Sequence, residues 1–170
     1  MLNVKFLNPF IDAAAEVLKV ETELEVERGN LSLEKTALTA TDVTVLLTLV
    51  GKVQGVVMYG FSTPLCLDLV SRMMGQKCTE FDNLAQSGIA ELGNVITGRA
   101  TTKLEEAGFK SMISPPTMIT GMGVKISTLD FSRIVVPLST ENGDIVIHLA
   151  LRESPPGNQD KNFVPINVNA

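Results

Sequence analysis

The stretch DNLAQSGIAELGNVITGRATTKLEEAG, residues 82–108, decides the fold of this 170-residue chain. No proline interrupts it. Asp82 or Asn83 can cap a helix start, because a short side-chain oxygen accepts hydrogen bonds from the free amides of the first turn. Gly108 can end the helix, since a residue without a Cβ atom adopts the left-handed conformation at little cost. The stretch is therefore predicted to form one long helix.

Two stripes run along this helix when its residues are spaced at about 100°. The apolar stripe, which we predict to be buried, consists of Ala85, Ile89, Leu92, Ile96 and Ala100. The polar stripe consists of Ser87, Glu91, Asn94, Gly98 and Thr101. Glu91 and Asn94 are one turn apart and point the same way. Gly98 carries no side chain, so that another molecule could approach the helix closely there.

An ordinary explanation of the polar stripe is available. A Glu and an Asn on the outer face of an amphipathic helix are most often solvated surface, and a short motif match carries a risk of false positives. The flanking sequence makes the match more specific. The helix ends in KLEEAG at 103–108, and SPPT follows at 114–117 with the pair Pro115–Pro116.

Taken with these flanks, ELGN at 91–94 resembles the CheC/CheX family of chemotaxis phosphatases and looks most like its CheX members. The family motif reads acid-or-Ser-x-x-x-Glu-x-x-Asn, with a Pro further along the chain. Its positions here are Ser87, Glu91, Asn94 and the pair Pro115–Pro116. The resemblance also includes QGVVMYGFSTPLCLDLVSRMMG at 54–75 and NPF at 8–10, and it extends over residues 5–152.

The expected fold class follows from the order of elements, which is helix, strands, helix, long helix, strands. This order predicts an α/β domain of the α+β type, in which long helices pack on a mostly antiparallel sheet in two layers. The resemblance implies the same architecture for a single domain at residues 1–152. It also implies a homodimer whose sheets meet.

The resemblance implies a phosphatase that removes the aspartyl phosphate of a phosphorylated, CheY-like response regulator. The regulator would bring its own Mg²⁺ and a conserved Lys, so that this chain needs no cofactor of its own. We expect Asn94 to orient the attacking water, as the Gln of small GTPases does, and Glu91 to pair with the regulator's Lys. The expected partner-binding residues are Ser87, Gly98, Thr101, Pro115 and Pro116.

The sequence leaves a second function open. The same fold family includes flagellar switch components, so that a non-enzymatic module that binds response regulators stays open. Pro115–Pro116 could likewise be only a rigid connection between elements. A stand-alone esterase is disfavoured, because no nucleophile with a base partner is visible in the sequence.

Composition narrows the partners further. Hydrophobic residues make up 45% and charged residues 19% of the chain, as in folded globular proteins. The net charge of −5 argues against a nucleic-acid partner, which requires clustered Lys and Arg. No apolar run is long enough to span a membrane, and the N-terminus does not read as a signal peptide. We therefore expect a cytoplasmic protein.

Metal and disulfide sites are not predicted. The chain has one His and two cysteines, Cys66 and Cys78, without a CxxC motif. Two cysteines do not indicate a disulfide framework, and both thiols are expected to be reduced. His148 lies in an alternating strand far along the chain from Glu91 and Asn94, and we interpret it as a strand residue.

The remaining elements are predicted from local patterns. Asn8 and Pro9 are expected to start a first helix at 8–19, in which Asp12, Glu16 and Lys19 copy the motif spacing with Lys in place of Asn. We interpret this helix as structural. The other predicted elements are a strand at 20–28, a hairpin at 42–50 and 53–61, a helix from Ser62 to Gly75, a hairpin at 133–140 and 144–151 turning at Asn142–Gly143, an edge or bulge at Pro137, and an extended tail at 153–170.

Overall fold

Helices cover one face of an antiparallel sheet in the computed structural model of the protein, which describes residues 4–129 and 131–157. The helices are α1 (Leu7–Thr22), α2 (Thr63–Met74) and α3 (Asn83–Glu106), with a 3-10 turn at Val4–Phe6. The strands are β1 (Glu27–Arg28), β2 (Ser32–Glu34), β3 (Leu38–Thr39), β4 (Val43–Gly51), β5 (Val53–Phe61), β6 (Ser111–Ile113), β7 (Thr117–Thr120), β8 (Lys125–Ile126), β9 (Arg133–Thr140) and β10 (Gly143–Glu153). The predicted fold class is confirmed.

The main sheet has the strand order β1-β9-β10-β5-β4-β6. Two more strands lie at its margins, since β2 also pairs with β9 and β7 also pairs with β4. Alternate residues of the central strands, such as Val45, Tyr59 and Ile147, face the helices and form the core with them. The core is therefore a single layer between the sheet and three helices.

The long helix α3 follows its sequence signals closely. The carboxylate of Asp82 accepts a hydrogen bond from the backbone amide of Ala85 at 2.9 Å and caps the helix. Gly108 follows the last turn with φ +89°, and its amide donates to the carbonyl of Glu105. The predicted apolar stripe is buried in full, with members Ala85, Ile89, Leu92, Ile96 and Ala100.

Both predicted hairpins are present. Strands β4 and β5 pair around Gly51 and Lys52 as predicted. In the second hairpin, Gly143 pairs with Thr140, so that the turn consists of Glu141 and Asn142 and lies one residue earlier than expected. The helix α2 also matches its prediction, because the Ser62 hydroxyl caps it and the left-handed Gly75 ends it.

Pro137 lies at an irregularity in the sheet, as predicted. Its carbonyl accepts from the amide of Gly29, which belongs to the link between β1 and β2. Because proline has no amide hydrogen to donate, a regular strand could not pair with it on this side. The link between β1 and β2 therefore bulges around Pro137.

The prediction for the N-terminal region is partly wrong. The first helix begins at Leu7 and continues to Thr22, and Phe6 occupies the capping position without a side-chain hydrogen bond, so that Asn8 is not the cap. The strand predicted at 20–28 is helical up to Thr22, and only Glu27–Arg28 is extended and paired. The alternating pattern predicted a strand with Val20 on its buried face, but α1 continues past Val20, whose exposed fraction is 78%.

A second layer of chain partly covers the other face of the sheet. Strands β3 and β8 pair with each other and form this cover. Beneath it, Thr44, Met58 and His148 are buried outside the helical core. No helix within the described ranges is long and apolar enough to cross a bilayer.

The predicted C-terminal tail falls mostly outside the described residues, at 158–170. Its expected start was one residue too early, since β10 includes Glu153. Ser154 still belongs to the fold, because its amide donates to the carbonyl of Lys52 at 2.9 Å.

Candidate functional site

Glu91 and Asn94 lie together on the outer face of α3, without partners among the described residues. The Glu91 side chain is exposed and that of Asn94 is half-buried, one turn apart on the same face. Neither makes a hydrogen bond or ion pair with any residue that the structure describes. A carboxylate and an amide therefore point outward together, and both are available to a second molecule.

The corresponding acid on α1 is in a different state. Glu16 accepts hydrogen bonds from Lys103 at 2.6 Å and from Arg99 at 2.9 Å, both on α3. The hydrogen bonds from Lys103 and then Arg99 lower the pKa of the Glu16 carboxyl below its ordinary value. This glutamate is used to join α1 to α3, which agrees with the interpretation of the first helix as structural.

Two contacts behind the exposed face fix the position of α3. A Cβ atom at Gly93 would lie 2.8 Å from Cγ1 of Val45, so that only glycine permits this close approach to β4. One turn later, the Thr97 hydroxyl lies 2.8 Å from the Tyr59 phenol and donates to the carbonyl of Gly93. The helix is thus held on the sheet directly behind Asn94.

The other residues of the polar stripe lie on the same exposed side. Ser87 is exposed one turn before Glu91. The Thr101 hydroxyl donates to the carbonyl of Gly98 at 2.8 Å, and that of Thr102 donates to the same carbonyl at 3.1 Å. The stripe therefore has polar side chains at its start and centre, and a low surface around Gly98.

Pro115 and Pro116 lie at the sheet margin beside α3. They connect β6 to β7, and these strands pair with the same strand β4 and pack along α3. Ser114 holds the connection in place, because its amide donates to the Thr48 carbonyl and its hydroxyl accepts from the Thr48 amide, each at 2.9 Å. The structure thus places the two prolines on the sheet margin that α3 borders.

Other reactive groups lie away from this face. His148 is buried on the opposite face of the sheet, where burial and then the charge of Arg133 lower its pKa to about 4. Cys66 is one of the buried residues of α2, and burial raises the pKa of its thiol to about 12. Within the part of the chain that the structure describes, no group of three or more His, Cys, Asp or Glu residues could hold a metal ion.

Sequence reasoning missed the residues that support the site. Tyr59 and Thr97 lie 38 positions apart, and no local pattern pairs them. Arg99 and Lys103 have the spacing of an exposed basic pair on a helix. Nothing in the sequence indicates that both bind Glu16. A glycine within a helix, such as Gly93, was the only available hint of close packing.

Comparison with known proteins identifies the family to which the chain belongs. A family model described as "Chemotaxis phosphatase CheX" matches residues 43–139, which include α3 and the Pro115–Pro116 pair. A curated relative, the CheY-P phosphatase CheX of Thermotoga maritima, is 28% identical over 153 residues, which are 89% of this chain and 98% of the relative.

Solved structures of other proteins are also similar to this chain in fold and sequence. A CheC-like superfamily protein from Shewanella sp. PV-4 has a TM-score of 0.81 and 29% identity, covering 89% of this chain and 99% of its own. A CheX–CheY–BeF3–Mg²⁺ complex from Borrelia burgdorferi has a TM-score of 0.73 and 29% identity, covering 89% of this chain and 100% of the matched one.

Proposed function

Because this chain belongs to the CheX family of chemotaxis phosphatases, we propose that it hydrolyses the aspartyl phosphate of a CheY-type response regulator. The observation that carries this proposal is the unpartnered pair Glu91 and Asn94 on the exposed face of α3. A curated relative named CheY-P phosphatase supports the reaction, and a relative solved in complex with CheY supports the partner.

In the reaction, a water oxygen attacks phosphorus and the bond from phosphorus to the aspartyl oxygen breaks. The aspartate leaves as a carboxylate, and the water proton passes to the departing phosphate or to solvent. Phosphoryl transfer of this kind needs positioning and charge stabilisation more than a covalent catalyst. The side-chain oxygen of Asn94 accepts a hydrogen bond from the water and holds it in line with the breaking bond.

Glu91 is the docking acid. Its carboxylate is exposed, and the part of the chain that the structure describes gives it no cation. It is therefore free to pair with the active-site Lys of the regulator, one turn away from the water that Asn94 holds. The regulator also brings its Mg²⁺, which neutralises charge on the phosphoryl oxygens.

The docking surface extends along α3 from this pair. Ser87 contacts the regulator one turn before Glu91, while Gly98 and Thr101 border the surface beyond Asn94. Pro115 and Pro116 stiffen the neighbouring sheet margin, because two consecutive prolines restrict the backbone to an extended path.

We further propose a cytoplasmic homodimer, formed by the domain at residues 1–152, in which the second faces of two sheets meet. Val50 and Met112 pair across β4 and β6 on that face and are 49% and 58% exposed. Their apolar surface supports burial against a second copy.

The test is phosphate release from a phosphorylated CheY-type regulator of the same organism. At regulator concentrations below the wild-type KM, we expect the wild-type protein to accelerate release, and Asn94→Ala and Glu91→Ala to lose the acceleration. Glu106→Ala is the matched control, because Glu106 is exposed near the C-terminal end of the same helix. Measurable binding by the wild-type protein without acceleration would instead identify a binding module.

A further inference from the structure

Gly98 is the glycine of α3 that packing does not explain. Glycine lowers helix stability relative to alanine, and the other two glycines of the helix face neighbouring elements. A Cβ atom at Gly93 would meet Val45 at 2.8 Å, and one at Gly88 would meet Val70 of α2 at 3.5 Å. A Cβ atom at Gly98 would meet nothing within 4 Å.

Gly98 lies next to Asn94 on the polar stripe, where the absence of a side chain affects the shape of the docking surface. Gly98 follows Asn94 by four residues on the exposed stripe, about 6 Å further along the helix axis. Beyond it, the hydroxyls of Thr101 and Thr102 both donate to the Gly98 carbonyl, at 2.8 and 3.1 Å. These bonds direct both side chains back toward the helix, so that the surface forms a shallow notch next to Asn94.

The notch offers shape rather than hydrogen bonds. The Gly98 carbonyl is already occupied by two hydroxyl donors, and the residue has no side chain to donate or accept. What a helical glycine provides is the close approach of a neighbouring surface, as Gly93 provides for the side chains of Val45 and Tyr59. The occupant that fits is therefore a segment of a protein partner that packs closely against the helix.

We propose that Gly98 is a specificity-determining residue that seats a segment of the phosphorylated response regulator directly against α3. This inference rests on the proposed function. The close seating sets the distance between Asn94 and the acyl phosphate. Any side chain at position 98 would hold the two proteins apart, and a misplacement of about 1 Å can lower an enzymatic rate about 100-fold.

The experiment compares Gly98→Ala with Gly88→Ala. Both replace a helical glycine by alanine, but Gly88 faces α2 at an ordinary contact distance. We expect Gly98→Ala to raise Tm by about 2–4 °C and yet to lower kcat/KM for phosphate release at least about tenfold. Gly98→Ala should also raise the Kd for the regulator activated with beryllofluoride and Mg²⁺. Gly88→Ala should keep the wild-type kcat/KM and Kd.

The outcomes separate this inference from the proposed function. If the wild-type protein accelerates phosphate release and Gly98→Ala does so equally well, the inference is overturned and the function stands. A Gly98→Ala protein with a lowered Tm would also overturn it, because the loss would then be structural. If the wild-type protein binds without accelerating, the function fails, and the Kd of Gly98→Ala still decides the inference. If the wild-type protein does not bind the regulator at all, both the proposed function and the inference about Gly98 are overturned.

Discussion

The phenol oxygen of Tyr59 lies 2.8 Å from Oγ1 of Thr97, inside a helix–sheet interface that is otherwise built from apolar side chains. The Thr97 hydroxyl donates to the Gly93 carbonyl of its own helix at 2.7 Å. It can therefore receive the phenol proton, which gives both buried groups a partner. Burial raises the pKa of the Tyr59 phenol further above its ordinary value, so that the donor stays protonated.

Removing the phenol oxygen should loosen α3 without unfolding the protein. Tyr59→Phe leaves the bond from Thr97 to Gly93 intact, and we expect it to lower the free energy of unfolding by about 1 kcal/mol in urea denaturation. Thr97→Val leaves the Tyr59 hydroxyl buried without a partner and should cost about 1–3 kcal/mol. A Thr97→Val protein more stable than Tyr59→Phe would contradict this arrangement.

Asn94 and Glu91 should affect different kinetic constants. An amide that positions water acts in the transition state. Asn94→Ala should therefore remove about 2–4 kcal/mol of transition-state stabilisation and lower kcat roughly 30- to 1,000-fold. A docking acid contributes to binding, so that Glu91→Ala should mainly raise KM. Initial rates of phosphate release over a range of regulator concentrations separate the two. Equal effects of both variants on KM alone would rule out the role given to Asn94.

Gly93 should be intolerant of a side chain. Alanine is the better helix former by about 1 kcal/mol, but its Cβ would lie 2.8 Å from Cγ1 of Val45. Overpacking of this kind costs about 1–3 kcal/mol, so that we expect Gly93→Ala to be destabilising overall in urea denaturation. Adding Val45→Ala should recover part of the loss by making room. Strict additivity of the two changes would mean that the contact is not the cause.

The motif-like spacing on α1 should have no catalytic role. Glu16 is bound by Lys103 and Arg99, and the third motif position is Lys19, which cannot accept a hydrogen bond from water. We expect Glu16→Gln to keep the wild-type rate of phosphate release in the assay that Glu91→Ala fails. A comparable loss in both variants would show that α1 takes part in the reaction.

Stability should decrease in acid because of His148. Burial and Arg133 lower its pKa from 6.5 to about 4 in the folded protein. Between these values the unfolded chain binds a proton that the folded protein does not, so that stability is complete above pH 6.5 and is lost as the pH falls toward 4. The loss should amount to about 2–3 kcal/mol.

The measurement for His148 is urea denaturation at pH 7 and pH 4.5, for the wild-type protein and His148→Gln. The variant has no imidazole to protonate, so that its stability should fall less over this interval. Carboxylates that titrate in the same pH interval affect the stability of both proteins equally, so that their contribution cancels in the comparison. The same fall in both proteins would exclude His148 as the cause.

Elements with strong local signals were predictable from the sequence. The cap at Asp82, the glycine at 108 and the apolar stripe between them define α3 without reference to the rest of the chain. Each hairpin likewise has its own turn signal, although the turn predicted at Asn142–Gly143 lies one residue earlier. The outward pair Glu91 and Asn94 followed from helix geometry, and the catalytic roles given to it remain predictions.

Elements that depend on tertiary packing were not predictable. The segment after Lys19 alternates apolar and acidic residues as a strand does, yet α1 continues to Thr22, whose hydroxyl donates to the carbonyl of Leu18 in the helix at 2.6 Å. The short strands β3 and β8 pair across a long stretch of chain and have too few residues to show a period. The contact between Tyr59 and Thr97 exists only once α3 rests on the sheet.

The broken margins of the sheet bear on how this protein behaves at high concentration. One margin, formed by β6 and β7, is interrupted by Pro115 and Pro116, neither of which has an amide hydrogen to offer a further strand. The opposite margin, formed by β1 and β2, is interrupted at the bulge around Pro137. A long unbroken edge is what templates fibril growth. With both edges interrupted, we expect the folded protein to resist self-templated polymerisation, so that copies can crowd together and meet face to face without seeding an aggregate.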